Sequence, residues 1–420
     1  MRPTRLRFKA PSQSIVLFFV LLSGCSVINP NTSRIERWRE DLHYFATELP
    51  ARHPNLFFAV TREEFNQAVS VLDQQIPFFE DYEVVIGIKQ ILALVGDSHT
   101  DVDVRFSAYP VKLERFKDGY YVTGTTVEYR RILKAKLVQI GELDVETAYS
   151  AVKKTISHDN EFWLRQQSGT YLITPAVLRA LKILPQFQSG DFVFEATDGS
   201  RFPVKLNMPS KRIESTDWLD SRDPSKARPP LYLQNAEVNY WSEYLQDSRT
   251  LFFKYNRCAE NVDSPFGPFA ANLLDQLDKL PVDRLIIDLR HNFGGNSGIL
   301  WPFIKELTKR DFINQRGKIY VITGKDTYSS AVLNAAELKT YTRAILVGEP
   351  TGSKPNLYGE FKKFNLPNSG LGIYYSTNYF KRVEGDPPSL MPDSSIEATS
   401  TDYFNGRDPV LEKILAGGIN

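Results

Sequence analysis

Two adjacent hydroxyls, Ser329 and Ser330, stand in a segment, "KIYVITGKDTYSSAVLNAAELKT", whose pattern predicts a buried strand, a polar turn and a helix. A serine in such a turn presents its oxygen at the sheet edge, beside the next backbone N–H and the positive end of the helix dipole. That arrangement suits attack on a carbonyl, because the hydroxyl adds to carbon while amides hold the developing oxyanion. One of the two serines could instead cap the helix. A capping box would place Glu or Gln three residues after the serine, but those positions are Val332 for Ser329 and Leu333 for Ser330, so the box is absent. Both interpretations stay open at this point.

A second polar turn, "HNFGGN" (291–296), follows the apolar run "RLIIDLR". Its consecutive glycines, Gly294 and Gly295, tolerate positive φ and expose backbone N–H groups, which suits an oxyanion pocket. A tight turn before a helix capped by Asn296 or Ser297 explains the same glycines. The Lys-Ser/Thr ending and the three-glycine spacing of phosphate loops are absent. Because ligands collect beyond the carboxyl ends of parallel strands, we expect the Gly-Gly and Ser-Ser turns to lie close together.

A serine nucleophile needs a base. The chain has five histidines: His43, His53, His99, His158 and His291. His99 stands in "GDSHTD", where polar neighbours such as Asp97 could fix its tautomer. A histidine in a polar turn is otherwise an ordinary surface residue. His291 follows a predicted strand directly and lacks a partner histidine for metal, so His99 is the better candidate base.

The elements before the turns divide into two regions and a connecting segment. Residues 34–100 carry three patterns with apolar side chains at three- and four-residue spacing, which predict a helical N-terminal domain. Residues 101–210 mix strand patterns with a helix and contain a predicted hairpin at Asp198-Gly199. Residues 211–230 are polar and contain prolines, which predicts a linker or surface excursion.

One short stretch shows the period of a strand. Val102, Val104 and Phe106 alternate with charged residues, as expected for a half-buried strand that follows "GDSHT".

Residues 231–420 alternate strands with helices of ten or more residues, which predicts a mostly parallel sheet with helices on its faces. The fold class expected for the whole chain is therefore multi-domain α/β. Its 51 basic and 50 acidic side chains nearly cancel, so the charge balance does not indicate a nucleic-acid partner.

The first residues predict export. "MRPTRLRFKAPSQS" is basic, "IVLFFVLL" is apolar, and "LSGC" follows. Eight apolar residues are too few for a membrane span, which needs ~20 in helix, so residues 1–24 are interpreted as a signal peptide. "LSGC" resembles the bacterial lipobox, which implies cleavage before Cys25, lipid on its sulfur and a tether over residues 25–33. The alternative is an ordinary signal with a chance cysteine. Lipid on Cys25 would leave Cys258 as the only thiol, which excludes an internal disulfide.

Three motifs, "LIIDLRHNFGGN", "TYSSA" and "ILVGEPTGSKPN", resemble in order and spacing the catalytic domain of the tail-specific, or C-terminal-processing, serine peptidases. The resemblance covers about residues 250–415 and implies a ClpP/crotonase-like α/β domain. Upstream, "LVGDSHTDV" is similar to the helical lead-in of the tricorn-like branch of that family. "AKLVQIGELDVETA" is similar to the core of a PDZ-like module, which implies a PDZ-like mixed α+β insert.

The resemblance implies roles for individual residues. Ser329 matches the family nucleophile, Ser330 would supply one oxyanion N–H, and the loop of Gly294 and Gly295 would supply the other.

Two branches of the family imply different bases. In the C-terminal-processing branch the base is a lysine, which corresponds here to Lys354, 25 residues after Ser329. In the tricorn-like branch it is the histidine of a Ser-His pair, which corresponds to Ser98 and His99. A glutamate of that branch, matched by Glu384 in "RVEGDPP", would stabilise the charged imidazole.

Chemistry favours the histidine. A lysine acts as a base near neutral pH only when burial lowers its pKa, whereas histidine titrates there already. Lys354 lies in a Gly/Pro-rich loop, and the glutamate that the lysine branch carries three residues after its serine is Val332 here. We therefore favour His99 over Lys354.

Taken together, the sequence predicts a serine endopeptidase that is exported and lipid-anchored in a bacterial cell envelope. The expected partners are a peptide or protein substrate and, through the lipid anchor, a membrane, and no metal or organic cofactor is implied. Val332 and Ser353 depart from the family pattern, which keeps open a catalytically silent peptide-binding lipoprotein on the same fold. A hydrolase of a non-peptide ester or thioester is a further alternative.

Overall fold

The computed structural model describes residues 33–211, 214, 217–222 and 229–419. The predicted signal peptide, the lipidation site Cys25 and nearly all of the tether lie outside these residues. Within the described ranges, no helix combines the length and the apolar character that a membrane span requires.

Three helices occupy the N-terminal region: α1 (Arg34–Arg52), α2 (Arg62–Gln75) and α3 (Asp81–Val95). A capping box of Thr61 and Glu64 begins α2, because each side chain accepts a hydrogen bond from the backbone N–H of the other residue. α3 is apolar around most of its circumference and is buried between the other helices and the rest of the protein. It ends at Gly96, whose φ of 75° turns the chain toward His99.

The strand predicted over Val102, Val104 and Phe106 does not form. Val102 makes a single isolated bridge with Ile373, and the following residues are irregular. The alternation of exposure is nevertheless present, because Val102 packs against the protein while Asp103 faces solvent. The segment therefore has the side-chain pattern of a strand, but its pairing is limited to this bridge, where the N–H of Asp103 donates to Gly372 and the N–H of Tyr374 donates to Asp101, each at 2.8 Å.

The region after this segment is an antiparallel sheet with three helices. Its strands are β1 (Val111–Phe116), β2 (Gly119–Thr126), β3 (Lys136–Ile140), β4 (Leu143–Asp144), β5 (Ser189–Glu195), β6 (Arg201–Asn207) and β7 (Trp218–Asp220). Its helices are α4 (Val145–Val152), α5 (Glu161–Tyr171) and α6 (Pro175–Ala180). The strand order is β1-β2-β3-β5-β6, with β4 beside β3 and β7 beside β2. β5 and β6 form the hairpin predicted at Asp198-Gly199. β7 belongs to the range predicted as a linker, so that segment contributes a strand to the sheet. We call residues 111–220 the insert.

The C-terminal region is the predicted α/β domain. Its elements are β8 (Tyr240–Leu245), β9 (Thr250–Tyr255), α7 (Phe266–Lys279), β10 (Arg284–Asp288), α8 (Trp301–Leu307), β11 (Ile319–Thr323), α9 (Ser330–Tyr341), β12 (Ile345–Gly348), β13 (Leu357–Asn365), β14 (Gly372–Phe380), β15 (Ser394–Ser395), α10 (Ser400–Phe404) and α11 (Pro409–Leu415). The main sheet has the order β15-β12-β11-β10-β9-β8, and only β8 runs antiparallel to its neighbour. The prediction of a multi-domain α/β protein with a mostly parallel sheet is confirmed.

The two polar turns lie side by side because β10 and β11 are neighbours in the parallel sheet. Both strands are buried over nearly their whole length, as expected when helices cover both faces. Beyond their carboxyl ends, the N–H of Tyr328 donates to the carbonyl of Asn292 at 3.0 Å. The expected proximity of the Gly-Gly and Ser-Ser turns is therefore present.

An unpredicted ribbon, β13–β14, packs across the N-terminal helices. Apolar residues of this ribbon and its turn, including Phe364, Ile373 and Tyr375, share one core with Leu42 and Phe45 of α1. The ribbon thus buries the apolar face of the helices and holds them against the α/β domain. Each apolar side chain buried in this way contributes roughly 1.5–3 kcal/mol.

A buried carboxylate closes the end of the ribbon. Asp41 of α1 is inaccessible to solvent and accepts the N–H groups of Asn368 at 2.7 Å and Ser369 at 2.8 Å. The turn between β13 and β14 is therefore fixed to α1 by charge-assisted hydrogen bonds.

We expect Asp41→Ala to lower the free energy of unfolding by about 2 kcal/mol, because it leaves two backbone donors without their acceptor. Urea titration followed by circular dichroism measures the change. Gln67→Ala, at an exposed position of α2, is the control and should change stability by less than about 0.5 kcal/mol. Equal stability of the Asp41 variant and the wild type would contradict this account of the ribbon.

Candidate active site

Ser329 occupies the turn from β11 to α9 in a strained conformation. Its φ of 53° and ψ of −126° are unusual for a residue other than glycine. Although Ser329 stands at the N-cap position of α9, its side chain makes no capping hydrogen bond. Its Oγ instead lies 3.0 Å from Nε2 of His99, a residue 230 positions earlier in the chain. Strain of this kind, at a serine beside an imidazole, is typical of a nucleophile held on a tight strand-to-helix turn.

Neighbouring groups hold this turn in place. The N–H of Ser329 donates to Oγ of the buried Ser353 at 3.0 Å. The Oγ of Ser330 donates to the carbonyl of Gly295 at 2.6 Å, which fastens the first residue of α9 to the glycine loop. Ser353, one of the departures from the family pattern, therefore supports the backbone of the candidate nucleophile.

The glycine loop approaches Ser329 so closely that side chains are excluded. A Cβ on Gly294 would lie 2.8 Å from Cβ of Ser329 and 2.9 Å from N of Ser330, and a Cβ on Gly295 would lie 2.3 Å from the carbonyl oxygen of Cys258. Both glycines also have positive φ. The N–H of Gly294 is engaged by Oδ1 of Asn292 at 2.9 Å. The N–H groups of Gly295 and Ser330, by contrast, have no acceptor within the described residues.

The turn that carries His99 is organised by Asp97, whose side chain is only 1% exposed. Four donors reach its carboxylate: His53 Nε2 at 3.1 Å, Thr100 Oγ1 at 2.5 Å, Ser376 Oγ at 2.7 Å and the N–H of His99 at 2.9 Å. Burial alone would raise the pKa of Asp97, but its hydrogen bonds outweigh burial and hold the pKa well below its usual range. Asp97 is therefore a buried anion beside the imidazole.

Asp97 also faces the second nitrogen of the imidazole. Nδ1 of His99 lies 3.7 Å from Oδ1 of Asp97, is buried, and has no hydrogen-bond partner within the described residues. This distance exceeds a hydrogen bond. Catalytic contacts are often long without substrate and shorten when it binds. Sequence reasoning noted Asp97 only as a neighbour that could fix the tautomer. Two of its four donors, His53 and Ser376, come from distant segments.

Two further predicted site residues, Ser98 and Lys354, bond to partners other than Ser329 and His99. Ser98 directs its Oγ to the hydroxyl of Tyr328 at 2.7 Å. Lys354 pairs with Asp386 at 3.0 Å.

Glu384, the predicted partner of the imidazole, does not lie beside it. Its side chain is 96% exposed and pairs with Lys381. A carboxylate in solvent cannot stabilise an imidazolium whose side chain is only 6% exposed. The acid that the structure places beside His99 is Asp97.

Residues of the insert also reach this site, and sequence reasoning missed them. Trp163 of α5 stacks on Tyr328, and Oδ1 of Asp159 accepts the N–H of Ser98 at 2.8 Å. No local pattern in the sequence connects these residues with the Ser-Ser turn. Within the described residues, no group of three or more His, Cys, Asp or Glu side chains is arranged to hold a metal ion.

Residues 302–387, which include Ser329, match the model of peptidase family S41. This match confirms the predicted relation to the tail-specific, C-terminal-processing peptidases. The protein is a serine-type peptidase.

Two solved structures resemble the whole fold. Mature CPAF complexed with lactacystin has a TM-score of 0.61 and 12% sequence identity, over 91% of this chain and 99% of that chain. Mature CPAF by itself has a TM-score of 0.60 and 12% identity, over 91% of this chain and 98% of that chain. At 12% identity these likenesses show a similar fold and do not show similar chemistry.

We expect Gly294→Ala to lower the rate at which a fluorophosphonate probe labels the protein by at least ~100-fold, because the added methyl group displaces the glycine loop from Ser329. Gel fluorescence of the labelled protein over time gives this rate. Gly267→Ala is the matched control, since a Cβ at that position meets nothing within 4 Å. Wild-type labelling of the Gly294 variant would contradict the proposed closeness of the loop.

Proposed function

We propose that the protein is an endopeptidase in which Ser329 attacks the peptide carbonyl and His99 is the general base. The observation that carries this proposal is the 3.0 Å contact between Nε2 of His99 and Oγ of Ser329. A serine hydroxyl becomes an effective nucleophile when a base at hydrogen-bond distance removes its proton. The strained backbone of Ser329 supports the same role, because it directs Oγ away from the helix it precedes.

The reaction follows from this geometry. As Oγ of Ser329 bonds to the carbonyl carbon, its proton passes to Nε2 of His99, which becomes an imidazolium. The imidazolium then donates the proton to the leaving amine, and the C–N bond breaks to give an acyl-enzyme. Water, deprotonated by the same nitrogen, hydrolyses the ester and restores the serine.

The N–H groups of Gly295 and Ser330 are proposed to hold the oxyanion. Both lie beside Ser329, and neither has an acceptor within the described residues. The N–H of Gly294, which the sequence included as a candidate, is committed to Asn292. Gly294 then contributes by its lack of a side chain, which allows the loop to approach.

Asp97 is proposed as the acid that stabilises the imidazolium. It is buried, carries a lowered pKa and faces Nδ1 of His99. Asp97 thereby takes the role that was expected for Glu384, while Ser98 and His99 still correspond to the Ser-His pair of the tricorn-like branch. His53 holds Asp97 from the other side, because its Nε2 donates to Asp97 while its Nδ1 accepts the N–H of Asn55.

The proposal extends to features that the described residues do not cover. Residues 1–24 are proposed as a signal peptide and Cys25 as the lipidated residue, on the basis of the "LSGC" sequence. Peptidase activity would then take place in the bacterial cell envelope, on peptide or protein substrates. We further propose that the insert is PDZ-like and that the α/β domain is ClpP/crotonase-like.

The nucleophile and base are tested by fluorophosphonate labelling at pH 7.5. We expect Ser329→Ala to abolish labelling and His99→Ala to lower its rate at least ~1,000-fold, because both act as one unit. Lys354→Ala should label within about threefold of wild type, since Lys354 pairs with Asp386 instead.

If His99→Ala labels at the wild-type rate and Lys354→Ala loses labelling, the assignment of His99 as the base is overturned. Complete absence of labelling in the wild type would favour the catalytically silent peptide-binding protein. Labelling together with ester hydrolysis but no cleavage of unfolded protein would favour the esterase alternative.

The acid is tested by comparing Asp97→Asn with Glu384→Gln. We expect Asp97→Asn to lower kcat/KM for a p-nitrophenyl ester by roughly 10³–10⁴-fold, because the amide cannot stabilise the imidazolium. Glu384→Gln should leave kcat/KM within about twofold, since its carboxylate lies in solvent. Melting temperatures of both variants show whether the loss is separate from unfolding. A large loss in the Glu384 variant alone would restore the original prediction.

A further inference from the structure

The imidazole of His99 lies against a stack of aromatic rings. The ring centroid of Tyr328 is 4.8 Å from that of His99, with 21° between the planes. The indole of Trp163 lies 4.1 Å beyond Tyr328, with 17° between those planes. The three rings are therefore nearly parallel, and Tyr328 is between the base and an indole from the insert.

Residues of the insert and of the α/β domain hold this stack of rings in place. Tyr328 is 9% exposed, and its hydroxyl bonds to Oγ of Ser98 at 2.7 Å. Trp163 lies in the first turn of α5, where its N–H donates to the side chain of the N-cap residue Asn160 at 2.9 Å. The amide of Asn160 in turn donates to the carbonyls of Thr351 at 3.1 Å and Pro388 at 2.8 Å in the α/β domain. The indole is thus anchored to the domain that carries Ser329.

The face of an aromatic ring attracts a cation, and the attraction is greater where water is excluded. A neutral imidazole gains little from such a face, whereas an imidazolium gains the full interaction. Under the proposed mechanism, His99 becomes an imidazolium only while Ser329 attacks. An interaction that is stronger in the transition state than in the ground state accelerates the chemical step.

Other charged groups also surround the imidazole. Asp97 faces the edge of the imidazole. Asp159, in the loop before α5, lies close enough to His99 for an electrostatic interaction between them. Burial raises the pKa of Asp159, and its Oδ2 has no hydrogen-bond partner within the described residues. Asp101 lies farther along the same turn and bonds to Lys89 at 2.6 Å. Asp97 faces the edge of His99, while the rings lie against its face.

We propose that Tyr328, held parallel to the imidazole by Trp163 of the insert, is a positioning residue that stabilises the imidazolium of His99 during proton transfer from Ser329. The proposal rests on the proposed function, because it requires His99 to be the base. It assigns to the insert a direct part in the catalytic geometry, through one indole ring.

The test separates the ring of Tyr328 from its hydroxyl. We expect Tyr328→Leu to lower kcat for a p-nitrophenyl ester, and the fluorophosphonate labelling rate, roughly tenfold with KM unchanged, as for one cation–π contact in a dry site. Tyr328→Phe keeps the ring and should restore both rates to within about threefold of wild type. A structural role in substrate binding would raise KM instead, and a role of the hydroxyl would make the Phe and Leu variants equally slow.

Trp163 provides a second test, which decides the matter if Tyr328→Leu does not fold. Trp163→Leu should lower kcat about three- to fivefold, while Trp163→Phe keeps a stacked ring and should recover most of the rate. Tyr109→Leu removes a buried tyrosine that packs against the core of the insert, and it is the control for loss of stability. It should leave kcat of the folded protein unchanged.

The outcomes distinguish this proposal from the proposed function. If the wild type labels, Ser329→Ala does not, and Tyr328→Leu reacts at the wild-type rate, the stack has no catalytic part and only this inference fails. Equal losses in the Phe and Leu variants at position 328 overturn it as well. If the wild type does not label, the proposed function fails and this inference fails with it.

Discussion

The hydrogen bonds to Asp97 are the interaction on which the candidate site depends. A buried carboxylate is stable only when donors replace the water it has lost. His53 donates from the end of α1, Thr100 from the turn after α3, and Ser376 from β14. The anion therefore requires all three segments to be in place at once. Because His99 is two residues away and donates its own N–H, the same requirement fixes the proposed base.

The β13–β14 ribbon connects this anion with the nucleophile. Its apolar side chains complete the core of the N-terminal helices, while its strands continue from the loop that contains Ser353. Ser353 holds the N–H of Ser329 in its strained turn. One segment thus supports the base from one side and the nucleophile from the other. Strain at a functional residue persists only where surrounding contacts determine its conformation, and here those contacts come from this segment and from the glycine loop.

Residues 302–387 match the model of peptidase family S41, and the fold is similar to that of mature CPAF at 12% identity. At such low identity the local arrangement of a site can differ even when the fold is retained. In this chain Glu384 lies in solvent and Asp97 lies beside His99, which differs from the expectation drawn from the sequence. The insert also reaches the site, since Trp163 contacts Tyr328 and Asp159 accepts the N–H of Ser98.

The sequence by itself determined the parallel sheet, the placement of both loops at its carboxyl edge, and His99 and Ser329 as candidate base and nucleophile. These follow from hydrophobic periodicity and from motif spacing, which depend on residues close together in the chain. Tertiary structure decided that Asp97 rather than Glu384 faces the imidazole, that a ribbon joins the helices to the sheet, and that Val102 begins no strand. It also decided the ring stack of Trp163, Tyr328 and His99. Each of these depends on contacts between segments far apart in the sequence, such as the 279 positions between Asp97 and Ser376. Local patterns carry no information on which distant side chains will pack together, because that choice is made by the burial of the whole chain.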